Sequence, residues 1–244
     1  LRILNFASFL FFLLFFFCSE APKIEFQRER IVVAELFTFA RCPYCPYAYY
    51  ALDSLRKEFK DSLIVIAYHR NLLGDTLSPS SVEKRREFYY ESGGEPAVFF
   101  NGFGPIRTES PEDNYPTYKS EILKERSKKL KILPKIEEVN DSLKISFFVI
   151  DTFLNRDIRL LSLILEDSVY FKQSGARDSV YHCVFRGFIL DEEGIRLKNL
   201  NYFDSLIILL KMPNFNKKQY LVFFVQDFNT KEIFTGGIFK KEKR

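Results

Sequence analysis

Two cysteines separated by two residues, Cys42-Pro43-Tyr44-Cys45, are the residues of this chain best suited to chemistry. A thiolate attacks a disulfide where a thiol does not, so a CxxC pair becomes useful wherever its first sulfur is held as the anion. The same spacing also serves zinc, which would need two further ligands. Beyond the pair the mature chain offers only Cys183, His69 and His182, and it has no second CxxC. A purely structural disulfide over so short a loop would stabilise little. Redox exchange is therefore the favoured reading, with Cys42 as nucleophile and Cys45 as the resolving thiol.

The surrounding pattern supplies the elements that would hold such a pair. Residues 31–39 are rich in β-branched and aromatic side chains and read as a buried strand. From Tyr47 to Phe59 the apolar positions Ala48, Leu52, Leu55 and Phe59 recur at helical steps, with Pro43 and Pro46 expected in the first turn and Cys42 at the N-cap. Unpaired N–H groups and the positive dipole end there would favour the Cys42 thiolate, with Arg41 adding charge. Residues 63–68 form a second strand, Ser78-Pro79 reads as a helix start, and residues 116–130 as an amphipathic helix. Between them Glu95-Pro96-Ala97-Val98-Phe99-Phe100-Asn101-Gly102 reads as a short strand closed by an Asn-Gly turn.

This order resembles the thioredoxin fold. The resemblance implies a cis bond before Pro96, which presents the Glu95 backbone to an incoming peptide beside the CxxC pair. It also implies a buried acid for proton transfer in the region of Glu35, whose alternative is a strand residue paired to a neighbour. His69, at a strand end, reads as a packed or hydrogen-bonded histidine, and Cys183 as a buried free thiol.

Glu35-Leu-Phe-Thr-Phe-Ala-Arg-Cys-Pro-Tyr-Cys-Pro46, Ala67-Tyr-His-Arg70 and residues 94–102 together resemble the outer-membrane-protein-28-related family of extracytoplasmic, thioredoxin-like proteins. Leu165-Glu-Asp167 and residues 223–230 resemble two further segments of that family. Many members carry a glycine before the CxxC loop, where this chain has Phe39-Ala40-Arg41.

After Pro134 the alternation Leu143, Ile145, Phe147, Val149 marks a half-buried strand. Further β-like runs cover residues 158–165, 181–188, 206–210, 219–226 and 233–239. The fold class expected is an α/β thioredoxin-like fold over residues 24–132, followed by an all-β, immunoglobulin-like sandwich over 134–244. Asp191-Glu192-Glu193-Gly194 reads as a solvated turn.

The chain has 244 residues, 47% hydrophobic and 28% charged, with a net charge of +4 and 28 Phe. No basic block is interleaved with stacking aromatics, so nucleic acid is not an expected partner. Residues 1–20 carry Arg2 and an apolar run over 3–17, which read as a signal peptide. Cys18 directly follows the run, where a lipoprotein signal places its acylated cysteine; plain secretion and an uncleaved anchor are the alternatives. All three place the mature chain outside the cytoplasm, in the periplasm or at the outer membrane, where disulfides persist. The expected function is a thiol–disulfide oxidoreductase acting on protein thiols or disulfides of the cell envelope. No cofactor or metal is implied. The alternative is a non-catalytic envelope (lipo)protein that uses the same scaffold for protein interaction.

Overall fold

Strand β1 (Val32–Thr38) is buried at every position, as is β2 (Leu63–His69), so both must be covered on two faces. They pair in parallel from Val32 opposite Leu63 to Thr38 opposite His69. Parallel neighbours need a crossover. Helix α1 (Cys45–Phe59) supplies it, burying Ala48, Leu52 and Leu55. Next come α2 (Ser81–Phe88), β3 (Ala97–Phe100) and β4 (Phe103–Ile106), then α3 (Asn114–Arg126). β3 lies antiparallel on the other side of β1, with Leu36 opposite Val98. The turn from β3 to β4 is the expected Asn101-Gly102, both at positive φ, 47° and 84°. Glycine is required there, since a Cβ would fall 1.8 Å from the Lys231 carbonyl oxygen.

The structure is a computed structural model that describes residues 29–89, 92–197 and 200–241. The expectations for residues 1–20, Cys18 among them, lie outside the described residues. Among those described, no helix is long and apolar enough to cross a membrane.

The rest of the chain is strand and loop: β5 (Ile132–Val139), β6 (Ser142–Val149), β7 (Ile158–Glu166), β8 (Val169–Tyr170), β9 (Val180–Tyr181) and β10 (Val184–Phe188). There follow β11 (Ile195–Arg196), β12 (Ser205–Lys211), β13 (Gln219–Asp227) and β14 (Ile233–Phe239). The apolar runs noted after Pro134 fall on these strands, except that the run 181–188 is split between β9 and β10 around His182 and Cys183. Pro134 itself lies within β5, an edge strand, where the missing N–H is tolerated.

The expected fold class is overturned. Strand dominates, with three short α-helices, and one mixed nine-stranded sheet runs β14-β13-β7-β10-β2-β1-β3-β4, with β11 beside β7. An α/β thioredoxin-like unit followed by an all-β sandwich is not what forms. The physical reason lies at β2. Apolar on both faces, it would leave an open edge beside β1, and β10 closes that edge through Val184 opposite Ala67 and an Ala67 N–H to Cys183 carbonyl bond of 2.9 Å. β7 and β13 then extend the sheet.

A second, three-stranded sheet, β12-β6-β5, covers one face of this extension. β13 divides its side chains accordingly. Tyr220, Val222 and Phe224 join the core that holds β1 and β2, while Leu221, Phe223 and Val225 meet Leu143, Ile145 and Phe147 of β6. Each such buried aromatic or branched side chain contributes about 1.5–3 kcal/mol over leaving it exposed.

Two helix starts differ from expectation. α1 begins at Cys45 with Tyr44 as its N-cap, because the Cys42 N–H is taken by the Phe39 carbonyl in the preceding turn. α2 begins at Ser81 rather than at Ser78-Pro79, because residues 79–82 close a turn through the Val82 N–H to Pro79 carbonyl bond.

Candidate functional site

The loop from β1 to α1 carries Cys42 and Cys45 as a disulfide, with an S–S distance of 2.08 Å and Cα atoms 5.4 Å apart. Both residues are buried, whereas the intervening Tyr44 is 64% exposed. The Cys45 N–H, the first of α1, points at Cys42 Sγ over 3.1 Å. Once the disulfide is reduced, that helix-terminal donor would favour a thiolate at Cys42 over one at Cys45. No acidic residue occupies the first turn of α1 to oppose it.

Opposite the pair, the Glu95–Pro96 peptide bond is cis, and the Glu95 carbonyl oxygen lies 3.6 Å from Cys42 Sγ. The Glu95 side chain turns inward. Its Oε1 accepts from Arg70 Nη1 at 2.8 Å and Arg86 Nε at 3.1 Å, and Arg70 also grips Glu83 at 2.7 Å. Two guanidinium groups thus anchor the loop that faces the disulfide.

The other loop is anchored through Asp75. Its Oδ2 accepts the Ala40 N–H at 2.7 Å, two residues before Cys42, and stands 2.8 Å from His69 Nδ1. Oδ1 accepts the Leu77 N–H at 2.9 Å. With the carboxylate on one side, Nδ1 of His69 carries the proton. His69 is therefore the hydrogen-bonded histidine of the sequence reading.

Glu35 is wholly buried and forms a two-pronged pair with Arg85 of α2, Nε to Oε1 and Nη2 to Oε2, both at 2.8 Å. The Tyr89 hydroxyl donates to Oε2. Burial works most strongly against the charge on Arg85, but Glu35, Tyr89 and Tyr68 together outweigh it and hold the guanidinium above its usual range. Burial, and then the neighbouring acid, push the Tyr89 phenol well above its ordinary value. This places Glu35 in an ion pair that joins β1 to α2.

Cys183 stands apart as the free cysteine of the described residues. Burial pushes its thiol up to about 12, so it stays protonated and inert at neutral pH. His182 Nδ1 accepts the Ser168 N–H, away from His69. Among the described residues no cluster of three metal-ligating side chains assembles.

A surface groove of about 450 Å³ runs beside the disulfide, bounded by Tyr44, Glu95, Pro96, Ile106, Asn114 and Tyr118. A larger cleft of about 750 Å³ lies near Phe153 and Leu154, and its arginines are already paired, Arg156 to Asp227 and Arg196 to Asp157.

The sequence reading named Glu95 only for its backbone and missed its carboxylate, along with Arg70, Arg86, Asp75 and Arg85. One signal was present: Val82, Arg85, Arg86 and Tyr89 share a helical face, and arginines among apolar neighbours on such a face need buried carboxylates.

A disulfide at a helix start beside a cis-proline loop, set in a mixed sheet that a second sheet covers, defines the class of fold. Solved proteins of similar fold include HBP35 of Porphyromonas gingivalis, at TM-score 0.67 and 17% identity, over 90% of this chain and 77% of that one. A protein of Agrobacterium tumefaciens matches at TM-score 0.62 and 15% identity, over 89% and 98% respectively. At these identities the likeness is one of fold. A domain of the outer membrane lipoprotein Omp28 from P. gingivalis overlaps on 46% of this chain with 96% of its own, at 15% identity and TM-score 0.28, and adds nothing to the fold assignment. No protein-family model and no curated protein matches the chain.

Proposed function

We propose that this chain is a non-catalytic protein of the cell envelope that binds polypeptide segments of its partners in the groove beside Cys42–Cys45. The observation that carries this reading is the groove itself. It joins an exposed aromatic, Tyr44, to the cis-proline loop and is fixed from beneath by buried ion pairs. Rigid anchoring of both walls lowers the ordering cost of binding. The apolar segment over residues 3–17 supports export, and acylation of Cys18 would tether the chain to a membrane. Photo-crosslinking from a benzoylphenylalanine placed at position 44 tests this proposal. Adducts should persist when Cys42 and Cys45 are both replaced by serine, and should be lost when Ile106 and Tyr118 are cut to alanine. Loss of the adducts in the double-serine chain would defeat it.

A second reading is favoured by the Cys45 N–H aimed at Cys42 Sγ. In thiol–disulfide exchange the Cys42 thiolate attacks one sulfur of a partner disulfide, forming a mixed disulfide and expelling the other sulfur as thiolate. Cys45 then attacks Cys42 Sγ, restoring the internal disulfide and releasing the reduced partner. Run in reverse, the internal disulfide oxidises a partner dithiol. Here Cys42 and Cys45 exchange, Pro96 orients the Glu95 carbonyl, and Glu35 anchors α2 behind them. A Cys45→Ser chain should then accumulate mixed disulfides that dithiothreitol releases. No trapped species, with a reduced Cys42 titrating like a free thiol, would end this reading.

A further inference from the structure

β12 differs from every other strand of the small sheet. Its sequence, Ser-Leu-Ile-Ile-Leu-Leu-Lys, is apolar on both faces, yet among the described residues it pairs on one side only, with β6. Leu206, Ile208 and Leu210 turn toward the core beneath. Ile207 and Leu209 turn outward and are 58% and 64% exposed. Opposite these two residues the outer face becomes polar one strand further in, while Phe148 of β6, opposite Ser205, packs against Phe203. There Ser146 and Lys144 of β6 lie opposite Ile207 and Leu209, and Lys135 and Glu137 follow on β5. Those charges are paired with one another, Lys135 to Glu137 at 2.7 Å and Lys144 to Glu137 at 3.4 Å. A lipid surface would call for a broad apolar face. An apolar strip along an edge strand whose next strand is mostly polar calls for another strand.

The hydrogen-bond phase of β12 can be read from its ends. Met212 donates to the Asp141 carbonyl at 3.1 Å, and Val149 donates to the Asp204 carbonyl at 2.9 Å. Antiparallel ladders alternate, so the even-numbered residues of β12 face β6. The N–H and C=O groups of Ser205, Ile207, Leu209 and Lys211 therefore point out of the sheet edge.

We propose that this edge is a self-association surface, on which β12 pairs antiparallel with β12 of a second copy about a two-fold axis at Ile208. In that register Ile207 stands opposite Leu209 and Ser205 opposite Lys211, so all four outward-facing residues meet outward-facing partners. Ile207 and Leu209 cover one another on the outer face. Charge selects the direction. No charged residue lies between Asp204 and Lys211. Antiparallel pairing carries each Lys211 toward the other copy's Asp204 end, whereas parallel pairing would set Lys211 against Lys211. The contact is isologous and closes as a dimer, which removes the edge altogether.

Sedimentation equilibrium of the full chain tests the proposal. A dimer is expected, becoming monomeric in Leu209→Pro, which removes an outward N–H without touching the β6 ladder, and in the double variant Ile207→Lys, Leu209→Lys. If circular dichroism shows that the proline variant has not folded, the lysine pair decides. Mixed Ile207→Cys and Leu209→Cys chains should cross-link on oxidation, while either variant alone should not, because only the 207–209 pair is opposed across the axis. A monomeric wild-type chain would overturn the proposal. So would a dimer unaffected by the lysine pair, or binding to phosphatidylglycerol vesicles through Ile207 and Leu209 without self-association.

Discussion

The interior behind the disulfide and the interior under the small sheet solve different problems. Behind the disulfide, the side chains of Glu35, Asp75, Glu95, His69, Arg85 and Arg86 are buried and bonded to one another in pairs. Under the small sheet, Leu143, Ile145, Phe147, Phe223 and Val225 meet with no charge among them. Apolar packing of the second kind stabilises a sheet without prescribing where any loop must stand. Buried charge pairs seldom add net stability, because desolvation offsets their attraction, but each fixes a distance and an orientation. The loops of Cys42 and Glu95, whose relative placement decides what the groove can hold, are tied by such pairs. Charge positions the site and hydrocarbon holds the fold.

The strongest test of this contrast is Arg85→Ala, which leaves Glu35 buried without its cation. It should lower unfolding free energy by about 3–5 kcal/mol in urea titration. Replacing both partners, Glu35→Leu with Arg85→Met, should recover most of that loss. If the double variant is as unstable as the single one, the pair holds the fold as well as the position. Next in size is the disulfide itself. Closing so short a loop contributes about 2 kcal/mol at most, so Cys42→Ser with Cys45→Ser should shift the urea midpoint modestly and leave the far-ultraviolet dichroism intact. On the apolar side, Ile145→Val removes one buried methyl group and should cost about 0.5–1.5 kcal/mol, with no change in how the Tyr44 groove binds.

The smallest effect concerns charge at the rim of the apolar half. Hydrogen bonds from Arg159 and then Arg196 draw Asp157 down to about 2 from an ordinary 3.8, against the opposing pull of partial burial. A lowered carboxyl contributes stability above its unfolded value and loses it as pH falls through the folded one. The stability gap between wild type and Asp157→Asn should therefore be full above about pH 4 and close as the pH approaches 2. A gap that stays constant down to pH 2 would mean that the carboxylate charge is not what Arg159 and Arg196 hold.

Much of the local structure was legible in the sequence because it is written locally. The alternation from Leu143 to Val149 needs only a half-buried surface, and Asn101-Gly102 needs only two positive φ values. The pairing of strands was not legible. Nothing in residues 63–69 says that their open edge will be closed by Val184, more than a hundred residues on, rather than left at the rim of a smaller domain. That omission produced the mistaken fold class. At the site, Cys42, Cys45 and Pro96 announced themselves through residue type and spacing. Their supports did not, since a carboxylate such as Glu95 looks like any surface acid until Arg70 and Arg86 are brought to it. Cys42 was expected at the N-cap but stands two residues before it, because proline-rich starts tolerate a turn before the first helical residue.

The closure of β2 by β10 also sets an order of events for the chain as it is made. The first strands and helices can pair among themselves early, since β1, β2 and β3 lie within seventy residues of one another. Until Val184 and its neighbours arrive, however, the β2 edge stays open and sticky, and every contact that seals it spans a long loop. A chain cut after α3 would keep both cysteines but present to any passing strand the edge that its own second half occupies.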